Sequence, residues 1–215
     1  MILDPTLTAA YVVVAAALAV SPGPDVLFVV ANGMRHRATG AVAAALGIGA
    51  GSALHALAAA LGVSALIAAS PLAFDLMRYG GALYLAWLGV QALRSFFKDR
   101  GIENAPVAEK AASPVQVFRR GLVTNILNPK VVVFYLALLP QFVSLELGHV
   151  GLQIFLLGCI HNVLGVAFLL AVGLAAGKAA GWLATTSFGR WMDGIAGLFF
   201  LGLAVRLAIS GRADP

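Results

Sequence analysis

Long apolar runs alternate along the chain with short clusters of charged residues. Residues 6–24 and 56–74 contain no Asp, Glu, Lys, Arg or His, and residues 150–177 contain only His161 of that set. An α-helix rises 1.5 Å per residue, so about 20 residues cross the ~30 Å hydrocarbon core of a bilayer. The runs therefore have the length of membrane-spanning helices. Because their apolar residues are consecutive and do not alternate, they exclude a membrane β-barrel.

Six predicted spans follow from the apolar windows between the charge clusters. They cover approximately residues 6–34, 39–69, 72–97, 117–143, 149–177 and 190–209. The first run is not expected to be a cleavable signal peptide, because Asp4 and no basic residue precedes it and apolar sequence continues beyond Pro24.

Composition supports the same class of protein. Of the 215 residues, 61% are hydrophobic and only 11% are charged, whereas a soluble domain carries about 25% charged residues. The single cysteine cannot provide a disulfide framework. We therefore expect an all-α integral membrane protein in contact with the lipid bilayer.

The basic residues predict how the chain is oriented. They concentrate after the first span, around the third loop and after the fifth span, and loops rich in Lys and Arg stay in the cytoplasm. Loops 1, 3 and 5 are thus expected inside the bacterial inner membrane, with both termini periplasmic. The net charge of +5 lies on these loops, and no basic helix or aromatic patch indicates nucleic-acid binding. The residues concerned are Arg35, Arg37, Arg94, Lys98, Arg100, Lys110, Arg119, Arg120, Lys178 and Arg190.

A polar segment, residues 98–116, separates two halves of three spans each, residues 1–97 and 117–215. Consecutive units with an odd number of spans insert in opposite orientations, which is the inverted repeat of many transporters. The glycine and leucine pattern that starts at Gly81 in the third span returns at Gly194 in the sixth. The prediction is two inverted three-helix repeats joined by a cytoplasmic linker.

The first span of each half contains a helix-start signal. Ser21-Pro22-Gly23-Pro24 interrupts the first span and Asn128-Pro129 interrupts the fourth. Ser and Asn are favoured N-caps and proline is favoured at the first helical position, so a helix is expected to begin again at each place. The rise per residue, counted from Arg35 and Arg120, places the two breaks roughly 19 Å and 14 Å from the inner boundary of the ~30 Å core, near its middle.

Two broken helices at this depth have the chemistry to bind a zwitterion. The free N–H groups at each new helix start attract an anion, and the carbonyls that the prolines leave unpaired, expected near residues 18–20, attract a cation. Asp25 and Lys130 lie beside the breaks in apolar sequence. A charge facing lipid there costs at least ~2.5 kcal/mol, so both are expected to face the interior. They either pair only with each other, linking the halves, or contact a substrate.

The cysteine and the histidines in the spans give weaker predictions of a functional role. Cys159 and His161 are two positions apart and so lie on opposite sides of a helix, which argues against a shared metal ion. His161 and His55 are expected to face inward, and Cys159 to pack. Without a phosphate-binding loop or a hydrolytic arrangement, we expect neither an enzyme nor a cofactor, and an ion gradient as the energy source.

These motifs resemble the LysE/RhtB superfamily of bacterial amino-acid exporters over nearly the whole chain. The resemblance implies a six-helix inner-membrane protein that exports amino acids, driven by protons and often assembled as a homodimer. The Pro-Gly-Pro form resembles the homoserine/threonine-type branch. The resemblance to the superfamily assigns Pro22, Gly23, Pro24, Asn128, Pro129 and Lys130 to a substrate site, to which we add Ser21, Asp25 and Asn125. The motifs that carry the resemblance are Ser21 to Pro24, Gly40, Gly47, Gly49, Gly51, Gly81, Tyr84, Leu85, Gly89, Gly121, Asn128 to Lys130, and Pro140 to Phe142.

The sequence and this resemblance thus predict a secondary transporter that exports a small neutral or hydroxylated amino acid and is coupled to protons. Asp25 is the candidate for the ammonium contact or for proton coupling, and Lys130 for the carboxylate contact. A metal-ion exporter of the same superfamily is one alternative, which would require acidic pairs or thiol clusters in the spans. A non-transporting membrane scaffold is another, and it gives no reason for two capped breaks.

Overall fold

The computed structural model describes residues 1–21, 23–69, 71–97, 112–185 and 188–209, and within these ranges the chain is helical apart from short connecting segments, with no strand. Residues 98–111 of the predicted linker, with Lys98, Arg100 and Lys110, lie outside the described residues, as does Pro22. The helices are α1 (Pro5–Val20), α2 (Pro24–Ala69), α3 (Pro71–Phe97), α4 (Pro114–Ile126), α5 (Pro129–Val133), α6 (Val150–Thr185) and α7 (Phe188–Ile209). A π-helical turn, Phe134–Leu138, and a 3-10 turn, Leu139–Phe142, continue α5.

The first predicted break lies between α1 and α2, although its details differ from the prediction. Ser21 does not cap the new helix. Its backbone N–H bonds the carbonyl of Ala17 at 3.1 Å and so ends α1, and α2 begins only at Pro24. The residue before a proline is disfavoured in the α conformation, so Gly23 cannot be helical and the restart moves to Pro24.

Helix α2 folds back on itself at Arg37, whose φ of 57° and ψ of −145° are not helical. Gly173 of α6 shows the result, because a Cβ there would lie 2.6 Å from Val29 and 3.0 Å from Ala41. In a straight helix those two residues would be about 18 Å apart. The predicted loop between the first two spans is therefore a one-residue turn.

The second predicted break is present between α4 and α5, where the two helical segments meet at 51°. Helix α4 begins with a capping box, in which Ser113 and Gln116 bond each other's backbone N–H groups. Its first residue, Pro114, lies inside the segment predicted as linker. Asn128 caps α5 as expected, with its side-chain oxygen 3.1 Å from the backbone nitrogen of Lys130.

Helix α6 continues past residue 177, where its predicted span ended, to Thr185. The prediction took the first charge, Lys178, as the end of the span. A charge marks where the chain leaves lipid and does not by itself end a helix, because lysine and the alanines beside it are good helix formers. Helix α7 begins two residues before its predicted span.

By length and composition, two helical segments can cross a membrane, Val150–Ala176 and Pro24–Val63, the second of which contains the turn at Arg37. The bent pair Pro114–Ile126 and Pro129–Phe142 provides a third if it forms one span, and Pro5–Val20 is a shorter apolar helix. The chain is therefore an all-α membrane protein.

Glycines bring the helices together. Gly47 of α2 packs directly on the backbone of Phe118 in α4, so the Gly47 and Gly51 pair serves packing within the chain, as small residues do in membrane helices. The contact between α3 and α7 is reciprocal. A Cβ on Gly89 would lie 2.9 Å from the carbonyl oxygen of Gly197, and a Cβ on Gly197 would lie 2.9 Å from that of Gly89.

Candidate functional site

A cavity of about 50 Å³ lies where the two helix breaks meet. The first break contributes Ser21, Gly23 and Asp25 to its wall, and the second contributes Asn125, Asn128 and Lys130. The arm of α2 after Arg37 and the middle of α6 complete the wall with Ile48, Ser52, His161, Asn162, Gly165, Val166 and Leu169. The predicted juxtaposition of the two breaks is thus present in the structure.

Asp25 projects from the first turn of α2 and bonds to the other half of the chain. Its Oδ2 accepts a hydrogen bond of 2.9 Å from Nδ2 of Asn125 in α4. Its Oδ1 has no hydrogen-bond partner within the described part of the chain. One carboxylate oxygen is therefore held by the protein and the other remains available.

Lys130 lies one residue after the proline of the second break and bonds back to the first. Its Nζ donates a hydrogen bond of 2.9 Å to the backbone carbonyl of Ser21. The reading in which Asp25 and Lys130 pair only with each other is therefore wrong, since each bonds a different residue. The carbonyl that receives the cation is also one position beyond the range predicted for it, residues 18–20.

The second break frees a carbonyl in the way that proline chemistry requires. Pro129 has no N–H, so the carbonyl of Asn125 four residues earlier loses its helical partner. The N–H of Asn128 bonds this carbonyl at 3.0 Å, and Nε2 of His55 lies 3.4 Å from it. The imidazole of His55 stacks on the ring of Tyr135 with centroids 5.8 Å apart. His55 faces inward as predicted, but it supports the break and does not line the cavity.

The α6 wall carries two polar side chains in adjacent positions. His161 is 8% exposed, and its ring lies 4.2 Å from that of Phe134 between centroids. Nδ1 of His161 and Oδ1 of Asn162 have no hydrogen-bond partner among the residues that the structure describes. The same holds for Oδ1 of Asn125. Buried polar atoms without partners are rare in proteins, so four of them around one cavity mark a place for a ligand.

The polar atoms available in this wall are mainly hydrogen-bond acceptors. The available atoms on Asp25, Asn125 and Asn162 are oxygens that accept hydrogen bonds, and the Nζ of Lys130 is the one cationic donor among the described residues of the wall. Aliphatic side chains of Ile48, Val166 and others provide the remaining surface. Such a wall can hold an ammonium group among the oxygens, a carboxylate at Lys130 and an apolar group between them.

Some predicted site residues lie elsewhere. Pro24 and Pro129 start their helices with exposed side chains and are not part of the cavity wall. The site assignment of Pro22 falls outside the described residues. Sequence reasoning missed Ser52, Asn162 and Gly165. A polar side chain in an apolar span was the one signal for Ser52 and Asn162, and Gly165 had none.

Among the described residues, no three or more His, Cys, Asp or Glu side chains come together in a way that could hold a metal ion.

Comparison with known proteins gives the family. The model of the LysE type translocator family matches residues 16–211. A leucine efflux protein of Enterobacter sp. (strain 638) is 32% identical over 199 residues, covering 92% of this chain and 93% of the relative. A leucine efflux protein of Salmonella choleraesuis is 30% identical, covering 92% of each chain. An uncharacterised membrane protein of Bacillus subtilis is 30% identical, covering 94% of this chain and 98% of the relative.

No solved structure matches the chain significantly. The family match supports the superfamily that the motifs predicted. Two of these three relatives are named for leucine efflux and none for homoserine or threonine, so they give no support for the homoserine/threonine-type branch. Members of such a family are transporters and not enzymes, as the sequence predicted. With the family model matching nearly the whole chain, the protein belongs to the LysE type translocator family.

Proposed function

We propose that the protein exports a neutral amino acid, with leucine as the first candidate, across the bacterial inner membrane. The observation that carries this proposal is the cavity between the two helix breaks, where unpaired acceptor oxygens face one lysine ammonium group. The cavity itself does not specify the side chain of the substrate. Leucine is the first candidate because the relatives are named leucine efflux proteins.

The amino acid binds through its two charged ends. Its ammonium group donates to Oδ1 of Asp25 and to the amide oxygens of Asn125 and Asn162, which satisfies atoms that otherwise have no partner. Its carboxylate accepts from Nζ of Lys130. Hydrogen bonds that involve ionised groups are worth about 1.5–3 kcal/mol each, so these contacts give most of the affinity for the common backbone of amino acids.

The substrate's side chain contacts aliphatic surface. Ile48, Val166 and Leu169 line the cavity beside the polar groups, and no further charged side chain among the described residues lines it. Burial of apolar area contributes roughly 25 cal/mol per Å². A neutral aliphatic amino acid therefore binds more favourably than a charged or strongly polar one.

The cavity is too small for the substrate in this conformation. A buried water needs about 10–15 Å³ of such volume, so 50 Å³ holds only a few waters. Leucine is several times larger than a water, and its binding requires the walls to move apart. We infer that the walls separate when the substrate binds and that the cavity opens alternately to each side of the membrane.

The contacts between helices support two inverted halves with six spans in total. Helix α1 packs on α6 as α4 packs on α2, and α3 packs on α7. In the reciprocal contact of α3 with α7, Leu93 approaches Gly197 as Leu201 approaches Gly89. The number of residues from Gly89 to Gly197 differs by only one from the number from Pro22 to Pro129. A single two-fold relation between the halves therefore accounts for both pairs. The two-fold relation that we propose pairs Gly89 with Gly197, whereas the sequence pattern paired Gly81 with Gly194.

The orientation we propose is the one that the basic residues favour. Arg35 and Arg37 lie at the turn of α2, and Arg119 and Arg120 lie in the first turns of α4. With these positions in the cytoplasm, both termini are periplasmic. Single-cysteine variants on a Cys159→Ser background at positions 35 and 146 test this, since a membrane-impermeant thiol reagent should label only position 146 from outside the cell.

Counterflow in proteoliposomes tests the transport function. Vesicles that contain the purified protein and are preloaded with unlabelled leucine should take up labelled leucine from a dilute outside solution, and protein-free vesicles should not. A panel of labelled amino acids then ranks the substrates, with leucine above threonine, homoserine and lysine. Absence of counterflow for every member of the panel would overturn the proposal.

A further inference from the structure

His161 is a buried protonatable side chain in the cavity wall that the proposed substrate contacts leave unused. It is 8% exposed, and Nδ1 has no hydrogen-bond partner in the described ranges of the chain. In a neutral imidazole one ring nitrogen carries the hydrogen and the other carries a lone pair. With the hydrogen on Nε2, the unpartnered Nδ1 has a lone pair and no proton.

The other titratable groups around the imidazole of His161 already make contacts of their own or differ from it in chemistry. The hydroxyl of Tyr11 in α1 donates to the carbonyl of Leu157 at 2.8 Å, and the hydroxyl of Tyr135 lies 2.9 Å from that of Ser52. From α2, Asp25 shares the cavity, while His55 stacks on Tyr135. Lys130 faces the ring from α5, and Cys159 lies on α6 itself. Of these groups, only Asp25 offers another acceptor atom that has no hydrogen-bond partner among the described residues.

We propose that Nδ1 of His161 is the atom at which a proton and the ammonium group of the substrate compete, so that His161 couples amino-acid export to proton entry. The inference rests on the proposed function. The lone pair can accept an N–H of the substrate or bind a proton, but it cannot do both. A protonated imidazole also repels the ammonium group, because both carry a positive charge.

Competition for one atom produces exchange in a carrier that opens to one side at a time. The amino acid leaves when a proton from the periplasm takes its place on Nδ1. The reoriented site then releases that proton to the cytoplasm when the next ammonium group binds. One proton enters for each amino acid exported, and no covalent bond other than N–H is made or broken. A site without a protonatable group would exchange amino acids but could not concentrate them.

Two transport measurements on the reconstituted full-length protein separate coupling from structure. The first is the KM for labelled leucine in counterflow at equal pH on both sides, from about pH 4 to about pH 8.5, a window that reaches below the range in which a solvent-exposed histidine titrates. The second is accumulation of labelled leucine in vesicles whose lumen is one pH unit more acidic than the outside, with the membrane potential held at zero. One pH unit corresponds to about 1.36 kcal/mol, so one-for-one exchange supports about ten-fold accumulation.

The unaltered protein should show a KM that rises as the pH falls, by up to about ten-fold per unit, and about ten-fold accumulation. His161→Asn and His161→Gln should keep counterflow with a KM raised several-fold, lose the pH dependence and give no accumulation above the outside concentration. His149→Asn is the matched control. That residue is exposed at the start of α6 with a φ of 50°, which Asn tolerates, and it should behave like the unaltered protein.

Three results would overturn the coupling role and leave the transport function standing. The first is pH-dependent KM and accumulation in both His161 variants. The second is that Asp25→Asn loses the pH dependence of KM and the accumulation, while the His161 variants retain both. The third is equal loss of counterflow and accumulation in both His161 variants at normal membrane abundance, which would indicate a structural role. Absence of counterflow in the unaltered protein would instead defeat the proposed function.

Discussion

The ammonium group of Lys130 lies 2.9 Å from the backbone carbonyl oxygen of Ser21 and donates a hydrogen bond to it. Ser21 ends the helix before the first break, and Lys130 follows the proline of the second. A second bond of the same length joins Asn125 to Asp25, also across the two halves of the chain. The walls of the cavity are thus held together by a few polar bonds, and any opening of the site must stretch or replace them.

Replacing Lys130 by Met should abolish most transport while leaving the protein folded. The change removes the donor to the Ser21 carbonyl and the proposed partner of the substrate carboxylate, and Met fills a similar volume. Loss of a hydrogen bond to a charged group costs about 1.5–3 kcal/mol, which corresponds to a rise in the KM for leucine counterflow of roughly 10- to 100-fold. Lys130→Arg retains the charge and should lose less. Equal transport by Lys130→Met and the unaltered protein at equal membrane abundance would contradict the assignment.

The bond between Asn125 and Asp25 should appear as coupling in a double-mutant cycle. Asp25→Ala and Asn125→Ala each remove one partner, and the double variant removes both. Residues that bond directly show interaction energies of about 0.5–3 kcal/mol, whereas distant residues add independently. The KM for leucine should therefore rise less in the double variant than the product of the two single effects. Multiplicative effects would show that the contact does not contribute to the site.

Local proline chemistry is the part of the site that could be predicted from the sequence. Asn128 caps a new helix at Pro129 because the side chain and the missing N–H act over a few residues. Ser21 was given the wrong role, since it ends α1 and the next helix begins at Pro24. The charges at Asp25 and Lys130 were predicted to face inward, because lipid excludes them.

The remaining wall depends on how whole helices cross and rotate. Ser52 and Gly165 face the cavity only because of the way α2 packs on α6, and a uniformly apolar helix gives no periodic signal for its inner face. The register of α3 against α7 could not be predicted from the sequence for a related reason. Glycine and leucine recur so often in both helices that several alignments match, and only the reciprocal approach of Gly89 and Gly197 selects one.

Gly51→Ala, a change on α2, should disturb the site by displacing α4, against which Gly51 packs. A Cβ at Gly51 would lie 2.8 Å from Oδ1 of Asn125 and 3.1 Å from the carbonyl oxygen of Leu122. Because the backbone carbonyl cannot turn aside, α4 must shift, and such overpacking costs about 1–3 kcal/mol. We expect a lower midpoint of thermal unfolding in detergent and a higher KM for leucine.

Gly62→Ala is the matched control for this change, because it lies on the same helix with no atom within 4 Å of an added Cβ. It should leave the unfolding midpoint unchanged or raise it, since alanine is favoured over glycine in a helix by up to about 1 kcal/mol. A larger loss in Gly62→Ala than in Gly51→Ala would rule out the close approach of α2 and α4 as the cause.

Gly165→Val should change which amino acid is exported. Gly165 lines the cavity one turn after His161, and an added Cβ would meet no atom within 4 Å, so a larger side chain can enter the cavity without displacing the protein. The added methyl groups then occupy room that the side chain of leucine needs, whereas alanine still fits. A difference of one or two methylene groups in an apolar pocket is worth about 1–3 kcal/mol, so the ratio of leucine to alanine counterflow should fall by roughly 10- to 100-fold. Gly202→Val, at an exposed position of α7 that does not line the cavity and where an added Cβ also meets nothing within 4 Å, should leave that ratio unchanged. An equal fall in both counterflow rates in Gly165→Val would indicate a general disturbance of the helix, and would place the side-chain pocket elsewhere.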